Sequence, residues 1–148
     1  LHAEPLWRED LYLISHPSQV GEQETDIAFE DVLSLPLIMP TNKHGLRAKM
    51  QEAAFRAGRP LTPVVEADAL RVLVDLVHRD LGHTVLPRSS LVMELSTGRL
   101  RARRIVSPEL SRKVMLSWLH DRPLSTGGKA VINTLRELAG TMPMAAEL

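Results

Sequence analysis

The sequence predicts an α/β fold with a mostly parallel sheet flanked by helices, and three observations predict it. Short apolar runs alternate with helix-patterned stretches from Leu35 to Pro87. Gly58 and Gly82 fall where each helix hands the chain back to a strand. A hydrophobic content of 44% with 24% charged residues is that of a globular chain, against disorder. Strands alternating with helices of about 10–15 residues mark βαβ units and a parallel sheet.

Each element has its own warrant. Leu11-Tyr12-Leu13-Ile14-Ser15 is an apolar run ended by His16-Pro17 and reads as a strand. Ser18 to Asp26 is polar, contains Gly21 and reads as a loop. Phe29, Val32 and Leu33 are spaced for one short helical turn. Leu35 to Met39 is a strand, which Pro40 to Gly45 breaks. Leu46 to Ala57 is a helix with Leu46, Met50, Ala53 or Ala54, and Ala57 on its inner stripe and Arg47, Lys49, Gln51 and Arg56 outside. Leu61 to Val65 is the next strand. Asp68 then serves as N-cap for a helix over Ala69–Arg79, with Leu70, Leu73, Leu76 and Val77 inward. His83 to Pro87 is a strand, Arg88 to Leu95 a short helix, and Leu100–Ile105 and Val114–Leu119 two further strands. Ser125 or Thr126 caps a final helix carrying Val131, Leu135 and Leu138 on one face, and Thr141 to Leu148 reads as a frayed tail.

Composition excludes several function classes. With 148 residues the chain holds one ordinary core, or one lobe and part of another. Eighteen basic and eighteen acidic residues cancel, so no bulk field draws it to nucleic acid or an anionic membrane. Zero cysteines exclude a disulfide framework and a cysteine zinc site. No stretch approaches the roughly 20 apolar residues of a membrane helix. The chain opens Leu1-His2-Ala3 rather than with Met and enters a strand pattern at once, so an upstream segment is expected.

The motif search is mostly negative. Gly127-Gly128-Lys129 lacks the upstream glycine and the following Ser/Thr of a phosphate loop, and neither Gly-x-Gly-x-x-Gly nor Gly-x-Ser-x-Gly occurs. The six histidines form no i, i+4 helical pair, so no metal site is expected, and His78 reads as a helix C-terminal residue facing the dipole. Arg99-Leu100-Arg101-Ala102-Arg103-Arg104 fits a half-exposed edge strand better than a nucleic-acid contact, given zero net charge and 3% aromatics. The loop Thr41-Asn42-Lys43-His44-Gly45 is the most suggestive segment. It follows a buried strand and opens a helix, so free backbone N–H groups and side-chain donors could receive a carboxylate or phosphate. The competing reading is a capped turn with Thr41 or Asn42 as the cap.

Taken in order, several segments resemble the effector domain of LysR-type transcriptional regulators. They are Glu4-Pro5-Leu6 to Ser15-His16-Pro17, Leu35-Pro36-Leu37-Ile38, Gly45-Leu46-Arg47, Ala57-Gly58, Glu66, Leu81 to Pro87, Ser107-Pro108 with Arg112, and Pro123-Leu124-Ser125. The resemblance implies a periplasmic-binding-protein-like (type 2) lobe and a C-terminal helix belonging to the other lobe. On it, residues 1–7 end the first lobe, 8–121 form the second lobe, and 122–148 are the return helix and tail. The helix-turn-helix DNA-binding domain has no counterpart in this chain. Crossings between lobes are expected near Trp7 and His120-Asp121. A small, by preference anionic, effector would lie between lobes and touch Pro40, Thr41, Asn42 and His44, with His83 and Thr84 at the start of the returning strand. Many relatives carry Gly-Ile where this chain has His-Thr, and Glu66 faces the same edge by topology. The resemblance further implies no cofactor, no membrane partner, a cytoplasmic location, DNA contact only through the missing domain, and a homodimer or homotetramer. A solute-binding protein of a transporter shares the fold type. An enzyme on this scaffold would need Glu66 paired with His83 or His44, which no motif supports.

Overall fold

A computed structural model describes residues 1–21 and 25–141. Contacts divide the chain into two compact units, Asp10–Leu110 and Leu1–Glu9 with Ser111–Leu148. The strand β1 (His2–Ser15) contributes to both.

Within Asp10–Leu110 the order is β2 (Ile27–Ala28), α1 (Phe29–Leu33), β3 (Ile38–Met39), α2 (Gly45–Arg56), β4 (Val65–Glu66), α3 (Leu70–His78), β5 (Thr84–Pro87), a 3-10 turn at Arg88–Leu91, α4 (Val92–Ser96) and β6 (Arg101–Val106). The strands run β2-β6-β1-β5 across the sheet, with β3-β4 continuing beyond β5 through the parallel bridge Leu37↔His83. The α/β class and flanking helices stand, and the sheet is mixed. β3 and β4 run parallel, as do β2 and β6, while β1 is antiparallel to both β5 and β6. β1 lies upstream of the βαβ block, so no crossover helix obliges it to run with its neighbours.

The core follows from this order. β5 is buried along its whole length, and Leu11, Leu13 and Ile14 of β1 are buried beside it, as befits strands covered on both faces. Phe29, Val32, Leu37, Ile38, Met39, Met50, Val77, Leu91, Leu100 and Ile105 belong to the same cluster, each worth about 1.5–3 kcal/mol of burial. Prolines shorten two expected strands. Pro36 and Pro63 have no N–H, so the ladder is confined to Ile38–Met39 and Val65–Glu66. Gly82 is where β5 enters beside β3, and a Cβ there would lie 2.6 Å from the Pro36 carbonyl oxygen at φ +155.

Three expectations need correction here. β6 is not an edge strand, because β2 pairs with its outer side, and Arg103 donates to the carbonyls of Thr25 and Asp26. Leu70 is exposed, and Val74 replaces it on the inner face of α3 with Leu73 and Val77. Arg47 is buried although the stripe placed it outside.

In the unit Leu1–Glu9 with Ser111–Leu148, β7 (Ser111–Trp118) pairs with β1. Arg112 pairs with Glu9 and Trp118 packs on the His2 ring, so the two strands run antiparallel. Val114, Leu116 and Trp118 are half-buried against exposed Lys113, Met115 and Ser117, the alternation of a strand with one covered face. Helix α5 (Thr126–Thr141) is capped by Ser125, whose Oγ accepts the Gly128 N–H at 3.1 Å. Its buried residues are Ile132 and Ala139 rather than Val131 and Leu138, a rotation of one position about the helix. Arg136 on α5 holds Glu4 through two hydrogen bonds of 2.7 and 2.8 Å. The expected tail beyond Thr141 lies outside the described residues.

Candidate functional site

The parallel pair β3-β4 sets the site. Ile38 is opposite Val65 and Met39 opposite Glu66, so the connections leaving these strands start side by side. The Ala67 N–H donates to the Met39 carbonyl at 3.0 Å and extends the pairing by one step. The β3-α2 connection (40–44) thereby meets the β4-α3 connection (67–69) at the carboxyl ends of the strands, where open parallel sheets receive ligands.

Thr41 is held by Asp68. Its backbone N–H donates to Asp68 Oδ1 at 2.9 Å, and its hydroxyl lies 2.9 and 3.0 Å from the two carboxylate oxygens. These bonds, the backbone one foremost, lower the Asp68 pKa, and the charges of His44 and Lys43 act in the same direction. Asp68 therefore does not cap α3. The N-cap is Ala69, which makes no side-chain cap bond.

His44 is the N-cap of α2. Its Nδ1 accepts the Leu46 N–H at 3.4 Å, so while that bond is made the donor of the ring is Nε2. A capped turn was one of the two sequence readings, with Thr41 or Asn42 as the cap, and His44 takes that place. Asn42 and Lys43 are exposed.

Beneath the loop lies Arg47, only 9% exposed. Its Nη1 donates to the Pro40 carbonyl at 3.3 Å and to Glu66 Oε1 at 2.7 Å. Its Nε is buried with no hydrogen-bond partner among the described residues. Pro40 is buried. Arg47 thus ties the end of β3 to the end of β4 from within.

Pro40, Thr41, His44 and Glu66 are therefore brought together, with Asn42 on the same loop. His83 and Thr84 are not. The bridge sets His83 opposite Leu37, three residues before Pro40, or about 10 Å back along the strand direction. They lie beside the end of β1, where Ile14 pairs with Thr84 and Ser15 Oγ is 2.8 Å from His83 Nδ1. All three of Ser15, His83 and Thr84 are buried, and Thr84 Oγ1 has no hydrogen-bond partner among the described residues. Burial pushes the His83 pKa down, Asp80 opposes the shift, and Arg103 adds to it. The Glu66–His83 acid/base pair is thus set apart by the register, and His44 is engaged as a cap.

Sequence reasoning missed Asp68 and Arg47 as members of the site. Arg47 stands three residues before Met50 and seven before Ala54, a spacing that puts it on the buried stripe itself. Asp68 follows a strand and precedes a helix, and nothing local distinguishes an N-cap from a partner across the edge.

Among the described residues no helix is long and apolar enough to cross a membrane, and no group of His, Asp and Glu side chains could hold a metal. The chain is similar to the HTH-type transcriptional regulator BbuR of Bordetella bronchiseptica, with 25% identity over 118 residues, 80% of this chain and 36% of that protein. It spans less than half the length of the curated relatives it matches. Among solved structures it resembles the CcmR regulatory domain of Synechocystis in complex with 2-PG (TM-score 0.83, 18% identity, 95% of this chain and 68% of that one). It also resembles the effector binding domain of QuiR in complex with shikimate (TM-score 0.75, 18% identity, 94% and 65%). These likenesses show a periplasmic-binding-protein-like fold. The family model described as the LysR substrate binding domain matches residues 1–140, and this chain belongs to that family.

Proposed function

We propose that the chain is the effector-sensing part of a LysR-type DNA-binding transcriptional regulator, and that its β3-α2 and β4-α3 connections form one wall of the effector site. The observation that carries this is the convergence of Thr41, His44, Glu66 and Asp68 on one edge, fixed from below by Arg47. The wall offers the exposed Asn42 amide and the His44 Nε2–H, beside the Thr41 N–H and O–H that Asp68 engages, a donor set suited to a small acid. Shikimate in the QuiR domain and 2-PG in the CcmR domain make such acids the first probes. On this reading Asp10–Leu110, within the expected span 8–121, is the second lobe, and His83 with Ser15 is a buried polar pair of its scaffold. The protein is a cytoplasmic homodimer or homotetramer, carries out no catalysis and needs no cofactor. DNA is contacted by a helix-turn-helix outside this chain.

The mechanism is a population shift. An effector moves the lobe equilibrium only by its difference in affinity for the two arrangements, and a hundredfold difference supplies about 2.7 kcal/mol. The experiment is a metabolite screen on the full-length protein, beginning with shikimate and 2-PG, read by thermal shift and then by operator binding. A hit should alter operator affinity and weaken on Thr41→Val. Effectors that act equally on the wild type and on Thr41→Val, Asn42→Ala and His44→Ala together would overturn the assignment of this wall.

A further inference from the structure

The donors best suited to an effector's acidic group are already in use. Both Thr41 donors converge on the single carboxylate of Asp68, at 2.9 Å for the N–H and 2.9 Å for the hydroxyl. This is the geometry in which the loop would hold a ligand carboxylate. Asp68 is exposed, and α3 does not depend on it for a cap, so leaving Thr41 disturbs neither the core nor the helix start. A second anion here would meet the charge of Asp68 at close range. Arg47 is engaged by Glu66, which leaves Lys43 and the His44 ring beside Asp68. A second carboxylate or phosphate at Thr41 would lie within a few ångströms of the first, and like charges so close disfavour each other strongly.

We propose that Asp68 is a specificity-determining residue, a resident competitor that an effector's carboxylate or phosphate must displace to take the Thr41 N–H and O–H. The proposal rests on the effector-sensing reading above and adds a selection rule. Ligands with a weak or solitary acidic group are held off, and those whose other contacts drive the exchange are admitted. The affinity measured for any acid is reduced by the stability of the Asp68–Thr41 contact.

The test uses the full-length protein, inorganic phosphate as the probe, and isothermal titration calorimetry. Asp68→Ala should bind phosphate on the order of tenfold more tightly than the wild type, since one close negative charge is removed and two donors are released. Asp68→Asn keeps an acceptor without the charge and should fall between them. Thr41→Val on the Asp68→Ala background removes the hydroxyl and keeps the backbone N–H, so it should reduce the gain. Asp75→Asn, which removes a carboxylate elsewhere on α3, should change nothing. Equal affinities of wild type and Asp68→Ala, including no binding by either, would overturn the proposal. So would a gain that Thr41→Val leaves undiminished, or one matched by Asp75→Asn. The outcome is separable from the wider reading. A regulator that answers to no metabolite can still show this phosphate ranking, and one that answers through these residues can fail to show it.

Discussion

Arg47 and Glu66 form a pair in which removing the buried cation should cost less than removing its half-exposed partner. Arg47 makes two hydrogen bonds, to Pro40 and Glu66, and these favour the fold. Against them stand the desolvation of a guanidinium that is 9% exposed and the unpartnered Nε, the latter worth about 1–3 kcal/mol. Arg47→Met keeps most of the aliphatic stem and removes charge, bonds and orphan together, so the net change should be within about 1 kcal/mol. Glu66→Ala leaves the buried cation with the Pro40 carbonyl alone. A fully buried pair broken in this way loses about 3–5 kcal/mol, and roughly half of that is expected with Glu66 at 47% side-chain exposure, about 2 kcal/mol. Arg47→Ala also loses two methylenes of burial, adding about 1.6 kcal/mol to the methionine variant's cost. The double variant Arg47→Met/Glu66→Ala should therefore be more stable than Glu66→Ala alone. Native-state hydrogen exchange over the β3-α2 segment of the full-length protein, in rising urea, reads these opening energies directly. If Arg47→Met costs as much as Glu66→Ala, the pair is a net stabiliser and the desolvation argument fails.

Three further outcomes follow from other parts of the fold. Gly82→Ala should destabilise the β3-β5 junction by about 3 kcal/mol, because the new Cβ meets the Pro36 carbonyl that accepts the His83 N–H. A cost under about 1 kcal/mol, measured by thermal melting and exchange at residues 37–39 and 83–85, would show that the strands part easily. His83 makes stability depend on pH. The fold favours its neutral ring, so below the ordinary value of 6.5 the unfolded chain binds more protons, and stability falls as pH drops through that window. His83→Asn should flatten this slope when stability is followed against pH, and an unchanged slope would assign the dependence to other histidines. Ser125→Ala should cost α5 about 1 kcal/mol through the lost cap to the Gly128 N–H, seen as faster exchange in the first turn of that helix alone.

What the sequence disclosed and what it withheld divide along one physical line. Periodicity is local, so it recovered α2, α3 and β7. Register and orientation are not local. Nothing in His83-Thr84-Val85-Leu86-Pro87 tells how far along β3 its first residue will sit, and the bridge at Leu37 is what moves His83 away from the loop edge. The same holds for polar partners. Asp68 has the composition of an N-cap, and only the parallel pairing of Met39 with Glu66 brings it within reach of Thr41. Once that pairing is known, the anion-receptive loop can no longer be treated as a set of free donors. Thr41 spends its two on Asp68, and the Leu46 N–H goes to His44. The donors at this edge can be read from the sequence, but their availability is decided by a residue 27 positions away, and any ligand's affinity is measured against that contact.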